Sequence, residues 1–159
     1  MTEKNWNDGK SEKKLISLLV PCYNEEAGLR EFYRQTSQVI DQITDYDFQF
    51  LFVNDGSRDH TLAIMRELRE KDSRVSYVNL SRNFGKEIAM IAGMDYLTGD
   101  AAIIMDADLQ DPPELIPDLL EVQEREDANV VYCVRKSREG ESLFKLFTSK
   151  AFYRVMNYM

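Results

Sequence analysis

Short apolar runs alternate along this chain with stretches in which apolar residues return every three or four positions. Leu15 to Val20, Phe48 to Val53, Val75 to Leu80, Ala101 to Met105 and Asn129 to Val134 are the runs, each bounded by polar or turn-forming residues. Segments of this length and bounding predict strands. The intervening stretches predict amphipathic helices. Their apolar faces are Leu29, Phe32, Tyr33, Thr36, Ile40 and Ile43, then Leu62, Met65 and Leu68, then Ile88, Ile91 and Ala92, and finally Leu115, Ile116, Leu119 and Leu120. Punctuation follows the same rhythm. Pro21 is expected to end the first strand, Ser57 or Asp59 to cap the second helix, and Gly99 to close the third. Asp111 is expected to cap the fourth helix, ahead of Pro112 and Pro113. Five strands alternating with helices predict an α/β fold, a mostly parallel sheet with helices on both faces. Residues 1–14 are polar and charged and are expected to form a disordered tail, with one domain over 15–159.

Composition narrows this picture. The chain has 159 residues and a formal net charge of −8, enough length for one real core and the wrong sign for non-specific nucleic-acid binding. The charge is uneven. From Arg135 onward six Lys/Arg face two acids, a net of +4 that leaves −12 on the first 134 residues. That asymmetry points to an anionic partner for the C-terminal end. Cys22 and Cys133 sit in apolar runs and are expected to be buried, reduced, cytosolic thiols. His60, the single histidine, lies in a polar turn and is expected at the surface. No apolar run reaches the roughly 18 residues of a membrane span, so the chain as it stands is expected to be soluble.

The chemistry gathers where the strands end. In open α/β sheets ligands bind beyond the carboxyl ends of the strands. Strand one delivers Asn24, Glu25 and Glu26 there, strand two Asp55, and strand three Arg82 and Lys86; strand four delivers Asp106, Asp108 and Gln110, and strand five Arg135. Asp106 and Asp108 lie one residue apart at the end of an apolar strand. They would repel each other unless a cation sat beside them. Such an all-oxygen site suits Mg²⁺ or Mn²⁺ shared with phosphate and water. Acids for a cation together with bases for phosphates is what a metal–diphosphate requires. No GxxxxGK[ST], GxGxxG or G-x-S-x-G motif is present.

Val20-Pro21-Cys22-Tyr23-Asn24-Glu25-Glu26, Val53-Asn54-Asp55-Gly56-Ser57 and Asp106-Ala107-Asp108-Leu109-Gln110-Asp111-Pro112-Pro113-Glu114, in that order, resemble the family 2 glycosyltransferases of GT-A fold. Asn83-Phe84-Gly85-Lys86-Glu87 and Val134-Arg135-Lys136, followed by a basic aromatic stretch, make the chain similar to the branch that builds polyprenyl-phosphate sugars. That branch includes dolichyl-phosphate mannose synthase and the bacterial undecaprenyl-phosphate glycosyltransferases. The resemblance covers Leu15 to about Tyr158. It implies that Pro21, Tyr23 and Glu25 line the base and ribose site and that Asp55 holds the base. It implies that Asp106 contacts the ribose or donor sugar and that Asp108 and Gln110 hold the Mg²⁺ or Mn²⁺ bridging the diphosphate. It further implies that Arg135 faces the lipid phosphate acceptor and that Lys86 helps neutralise the nucleotide phosphates.

The reaction implied is inverting displacement of a nucleoside diphosphate from a nucleotide sugar, with UDP favoured over GDP, by a polyprenyl phosphate. A phosphate monoester has a second pKa of about 6, so this nucleophile is already anionic and needs no strong general base. Family members continue beyond this length with an acceptor-side segment and membrane helices. The chain is therefore expected to be a truncated, nucleotide-binding portion of an enzyme at the cytoplasmic face of a membrane. Leu143, Phe144, Phe147, Phe152 and Val155, interspersed with Lys145, Lys150 and Arg154, fit either core packing or a membrane-facing side. Two other readings stand beside this one: a family 2 enzyme acting on a glycan hydroxyl, and a non-catalytic nucleotide-binding module.

Overall fold

The computed structural model describes residues 13–134. Its elements run β1 (Lys14–Cys22), α1 (Leu29–Ile40), β2 (Tyr46–Asn54), α2 (Thr61–Lys71), β3 (Val75–Asn79), α3 (Lys86–Met94), β4 (Ala101–Ile104), a 3₁₀ turn (Pro113–Leu115) and α4 (Ile116–Glu126). Among the described residues the sheet has four strands in the order β3-β2-β1-β4, every pair parallel. The chain divides into two compact units, residues 1–121 and 122–159, and the sheet lies wholly in the first.

Strand alternation builds two cores, one on each face. Ile16, Leu18 and Val20 of β1 and Phe48, Phe50 and Phe52 of β2 meet α1, α2 and the start of α4 through Leu29, Phe32, Ile40, Ile64, Met65, Leu68, Ile116 and Leu120. Phe50 stacks on Phe52 at 5.7 Å, and Phe32 meets Phe52 edge-on at 6.4 Å. Each such buried side chain contributes about 1.5–3 kcal/mol. On the other face Leu19, Leu51 and Val53 meet Ala89 of α3. Helices on both faces of a parallel sheet are the predicted architecture.

Several expectations are corrected. Pro21 does not end β1. The strand runs on to Cys22, with Pro21 opposite Val53 and the Asp55 amide donating to the Cys22 carbonyl. The Leu19 carbonyl accepts from Met105 on the β4 side, so position 21, two residues on, also faces that side, where β4 has already ended. A proline there forfeits no ladder bond. In α2 the buried positions are Thr61, Ile64, Met65 and Leu68, with Ile64 taking the place expected for Leu62. In α3 the buried residues are Ala89 and Gly93, whereas Ile88 and Ile91 are 48% and 58% exposed. A Cβ at Gly93 would lie 2.8 Å from Val53 Cγ2. The helix lies so close to the sheet that only its small residues fit underneath, which turns the isoleucines outward.

Gly99 is not a helix cap. The helix ends at Met94, with Asp95 in the C-cap position. A Cβ at Gly99 would meet Ser17 Oγ at 2.5 Å and the Leu15 carbonyl at 2.6 Å, so this glycine lets the chain pass beside β1 before β4 begins. His60 occupies the α2 N-cap position, while the Asp59 carboxylate one residue earlier accepts from the Thr61 amide at 3.0 Å. At the 3₁₀ turn the cap position is Pro112 rather than Asp111, because the proline is itself the last extended residue, φ −69° and ψ 132°. Lys14 belongs to β1 rather than to the tail. The expected tail otherwise lies outside the described residues.

In the second unit, α4 finishes and residues 129–134 form no strand. Val130, Tyr132 and Val134 are exposed, and Cys133 is exposed instead of buried. Val and Tyr favour strands through what they pack against and pair with. Residues 129–134 have no ladder partner among the described residues, so the apolar pattern alone does not make a strand. Arg135 and the basic aromatic stretch lie outside the described residues.

Candidate active site

The carboxyl ends of β1, β2 and β4 and the loop before α3 enclose a cavity of about 270 Å³. It is lined by Pro21, Cys22, Tyr23, Glu25, Asp55, Asn83, Lys86, Asp106, Ala107 and Asp108. The structure thus brings together seven residues singled out from sequence: Pro21, Tyr23, Glu25, Asp55, Lys86, Asp106 and Asp108. Gln110 is exposed and outside this lining, with its backbone amide donating to Asp108 Oδ1 at 2.9 Å. Asn83 and Cys22 were not foreseen as cavity residues. Asn83 lies in the Asn83-Phe84-Gly85-Lys86 motif, which was its only signal.

Each wall has a local cause. Two backbone loops form the first wall, held together by side chains. Asn24, at φ 57°, donates its amide to Ser57 Oγ, and its own Oδ1 accepts from the Arg58 amide. The Glu25 amide donates to Thr61 Oγ1 at 2.8 Å, and Thr61 Oγ1 in turn donates to Asp59 Oδ1 at 2.6 Å. The Glu26 amide donates to Asp59 Oδ2, while the Glu26 carboxylate accepts from the His60 amide and meets its Nδ1. His60 is exposed, as expected, and its amide and ring hold the Glu26 carboxyl below its ordinary range. These bonds satisfy amides that loops leave without ladder partners. Sequence reasoning missed the network because its members are common turn residues, more than thirty positions apart.

The second wall is set by Asp55, which is buried. Its Oδ1 accepts from the Phe84 amide at 2.7 Å and its Oδ2 from the Gly85 amide at 2.9 Å. The loop after β3 is therefore pinned to the end of β2. Gly56, at φ 64°, lets that loop come close. The third wall is the end of β4. There the chain turns at Ala107-Asp108, with Leu109 at φ 59°, and both aspartates face the cavity despite the turn. Lys86 Nζ lies 2.5 and 2.7 Å from the two oxygens of Asp106.

The lining holds four carboxylates, Glu25, Asp55, Asp106 and Asp108, against one ammonium, Lys86. The Glu25 carboxyl is pushed up by burial first, then by the charges of Asp108, Asp59 and Asp106. Burial, with Glu25 and Asp106 nearby, holds the Cys22 thiol well above its ordinary value, so it is inert at neutral pH. The folded chain thus binds a proton at Glu25 more readily than the unfolded chain does, and stability at this group falls as pH rises above the ordinary glutamate range. Glu25→Gln should raise Tm over wild type at pH 7 by on the order of 1–2 °C, and that difference should shrink toward pH 4. An unchanged Tm–pH curve would refute the crowding of charge.

A cation would relieve this excess. Among the described residues no group of three or more His, Cys, Asp or Glu is arranged to hold a metal unaided. Asp106 and Asp108, both in the lining, offer oxygen donors of the kind a hard divalent ion takes together with phosphate and water. Among the described residues no helix is long and apolar enough to cross a membrane.

Comparison with known proteins places the chain in a family. A 48%-identical relative, the uncharacterized glycosyltransferase YkcC of Bacillus subtilis (strain 168), aligns over 90% of this chain and 44% of its own length. A prophage bactoprenol glucosyl transferase homolog of Escherichia coli (strain K12) is 41% identical over 89% of this chain and 46% of its own. The chain thus spans less than half the length of these curated relatives. The solved structure of mannosyltransferase PcManGT from Pyrobaculum calidifontis, in complex with GDP-Man and Mn²⁺, superposes with a TM-score of 0.66 at 21% identity. It covers 81% of this chain and 38% of that one, and shares its fold. The family model described as glycosyl transferase family 2 matches residues 17–158, and the chain belongs to that family.

Proposed function

We propose that this chain is the donor-binding portion of a metal-dependent, inverting glycosyltransferase that moves a sugar from a nucleotide sugar, a UDP-sugar, to a polyprenyl phosphate. One observation carries the reading: an acid-rich cavity at the carboxyl ends of parallel strands, in which the residues of all three family motifs converge. The relative named for bactoprenol glucosyl transfer supports the lipid acceptor. The Mn²⁺ in a protein of the same fold supports the metal.

In this reading Tyr23, 41% exposed at the cavity, and Pro21 offer surface to base and ribose. Asp55 retains a free lone pair on each oxygen after accepting its two amides, and can accept a base N–H. Asp108 and Gln110 would hold Mg²⁺ or Mn²⁺, and Asp106, expected at the ribose or donor sugar, is given a share of the ion because it stands with Asp108 in the cavity lining. The ion would stabilise charge growing on the leaving diphosphate. Lys86 is the ammonium available to phosphate. Arg135 would face the incoming lipid phosphate. Attack by that phosphate opposite the departing diphosphate inverts the anomeric carbon in one step. The whole enzyme would work at the cytoplasmic membrane face, its basic C-terminal stretch toward anionic lipid.

The test is a thermal-shift panel of UDP, GDP, CDP and TDP, each with Mn²⁺ and with EDTA. A nucleotide at a hundredfold excess over Kd stabilises the native state by about 2.7 kcal/mol, roughly 5–10 °C for a chain of this size. UDP should give a shift of that order only with Mn²⁺. Asp108→Asn should remove most of the metal-dependent part and leave the unliganded Tm within about 2 °C of wild type. Unchanged Mn²⁺-dependent affinity in that variant would sink the metal assignment.

A further inference from the structure

Lys86 is the first residue of α3 and follows Gly85, whose φ of 100° turns the chain into the helix. Its ammonium lies across both oxygens of Asp106, at 2.5 and 2.7 Å. That is where a divalent ion bound to this carboxylate would have to sit. An ammonium lying across both oxygens competes with a divalent ion for their lone pairs, and the two cationic charges repel each other. Free metal taking both oxygens of Asp106 would therefore have to displace Lys86. Asp108, the neighbouring carboxylate, also accepts from the Gln110 amide and alone is a poor site for a hard cation.

The pair is built to exchange. The Lys86 side chain is 51% exposed and that of Asp106 is 36% exposed, so a flexible lysine stem can move its head without unpacking a core. Among the described residues Lys86 is also the sole cation in the cavity lining. A nucleoside diphosphate brought into that cavity supplies an anion richer in charge and acceptor oxygens than Asp106. The lysine then has a better partner, and the vacated carboxylate is open to the metal.

We propose that Lys86 is an exchangeable counter-ion that makes divalent-metal binding conditional on nucleotide: it holds Asp106 closed to free metal and transfers to the diphosphate as the metal takes its place. The inference rests on the reading that Asp106 and Asp108 hold the metal. It adds an order of events, nucleotide and metal together rather than metal first. Coupling between two ligands is reciprocal, so Lys86 also sets how strongly Mn²⁺ improves nucleotide affinity. A single substitution therefore moves the two ligands in opposite directions, which a merely structural ion pair would not do.

The experiment is a titration of Mn²⁺ with the 159-residue chain, followed by the spectroscopic signal of free aqueous Mn²⁺, without nucleotide and with saturating UDP or GDP. Wild type should bind Mn²⁺ weakly alone and tightly with nucleotide. Lys86→Met and Lys86→Gln should bind Mn²⁺ alone about two- to fivefold tighter, the scale of losing one half-exposed ion pair. The same variants should bind nucleotide more weakly with Mn²⁺ present. Lys86→Arg, which keeps the charge, should stay near wild type for Mn²⁺ alone. In an Asp106→Asn background, Lys86→Met should change the affinity for Mn²⁺ alone no further. If wild type fails to bind Mn²⁺ even in the presence of UDP or GDP, the metal-site reading itself falls, and this inference with it. If it binds Mn²⁺ as tightly alone as with nucleotide, the site stands and the conditional step is overturned. If wild type shows nucleotide-dependent Mn²⁺ binding but both neutral variants leave Mn²⁺-alone affinity unchanged, the site stands and the counter-ion exchange is overturned.

Discussion

Gly56→Ala should cost the protein roughly 3 kcal/mol or more, a large share of the ~5–15 kcal/mol that holds a domain folded. Two effects combine. The residue sits at φ 64°, where an L side chain is strained by roughly 1–2 kcal/mol. The added Cβ would also lie 2.5 Å from Asn83 N and 2.6 Å from Arg82 Cα. Both neighbours are backbone, so no rotamer change can make room. Relief would require the 82–85 loop to retreat, and that loop is bonded to Asp55 and carries Asn83 into the cavity. Urea unfolding should show the midpoint falling sharply, and nucleotide binding should be lost even where the variant remains folded. An alanine variant within about 0.5 kcal/mol of wild type would mean that the two loops are not locked together as described.

Asp55→Ala should be nearly as severe, for a different reason. The carboxylate is 2% exposed and is the acceptor for two backbone amides. Removing it leaves both donors without partners in a buried site. Hydrogen bonds to a charged acceptor contribute about 1.5–3 kcal/mol each, so a loss on the order of 3–5 kcal/mol follows. Asp55→Asn separates geometry from charge. It matches the shape but turns an NH₂ toward one of the two amides, so it should recover less than half of the loss. Amide exchange at Phe84 and Gly85 should speed up in both variants. Wild-type stability of the asparagine variant would show that the carboxylate does not hold both amides.

Much of this organisation was readable before any coordinates. Four of five apolar runs became strands, and seven cavity residues were named, because parallel strands bury both faces and deliver their ends to one edge. What failed did so where tertiary contact overrode a local signal. Pro21 reads as a strand breaker, yet it falls where its missing N–H has no partner to lose. Ile88 and Ile91 outrank Ala89 and Gly93 in hydrophobicity, yet only the small pair lets α3 approach Leu19 and Val53. Asn129 to Val134 has strand composition but no neighbouring ladder among the described residues. The pairing of Lys86 with Asp106 was illegible because twenty residues separate them, and the sheet order, not the sequence, makes them neighbours.

The strand order β3-β2-β1-β4 has a temporal consequence. A ribosome releases β1, β2 and β3 first, and these can pair outward in sequence, each beside its predecessor. The Asn24–Glu26 loop is fastened as soon as Ser57 to Thr61 emerges, and Asp55 captures its two amides once Gly85 has followed. β4 is made last of the four and must travel back past the growing sheet to dock on the free edge of β1. The pair Asp106 and Asp108 therefore reaches a pocket whose other walls are already standing. A chain without β4 would keep the clasp of Asp55 on the 82–85 loop and lose the cavity wall that carries Asp106 and Asp108.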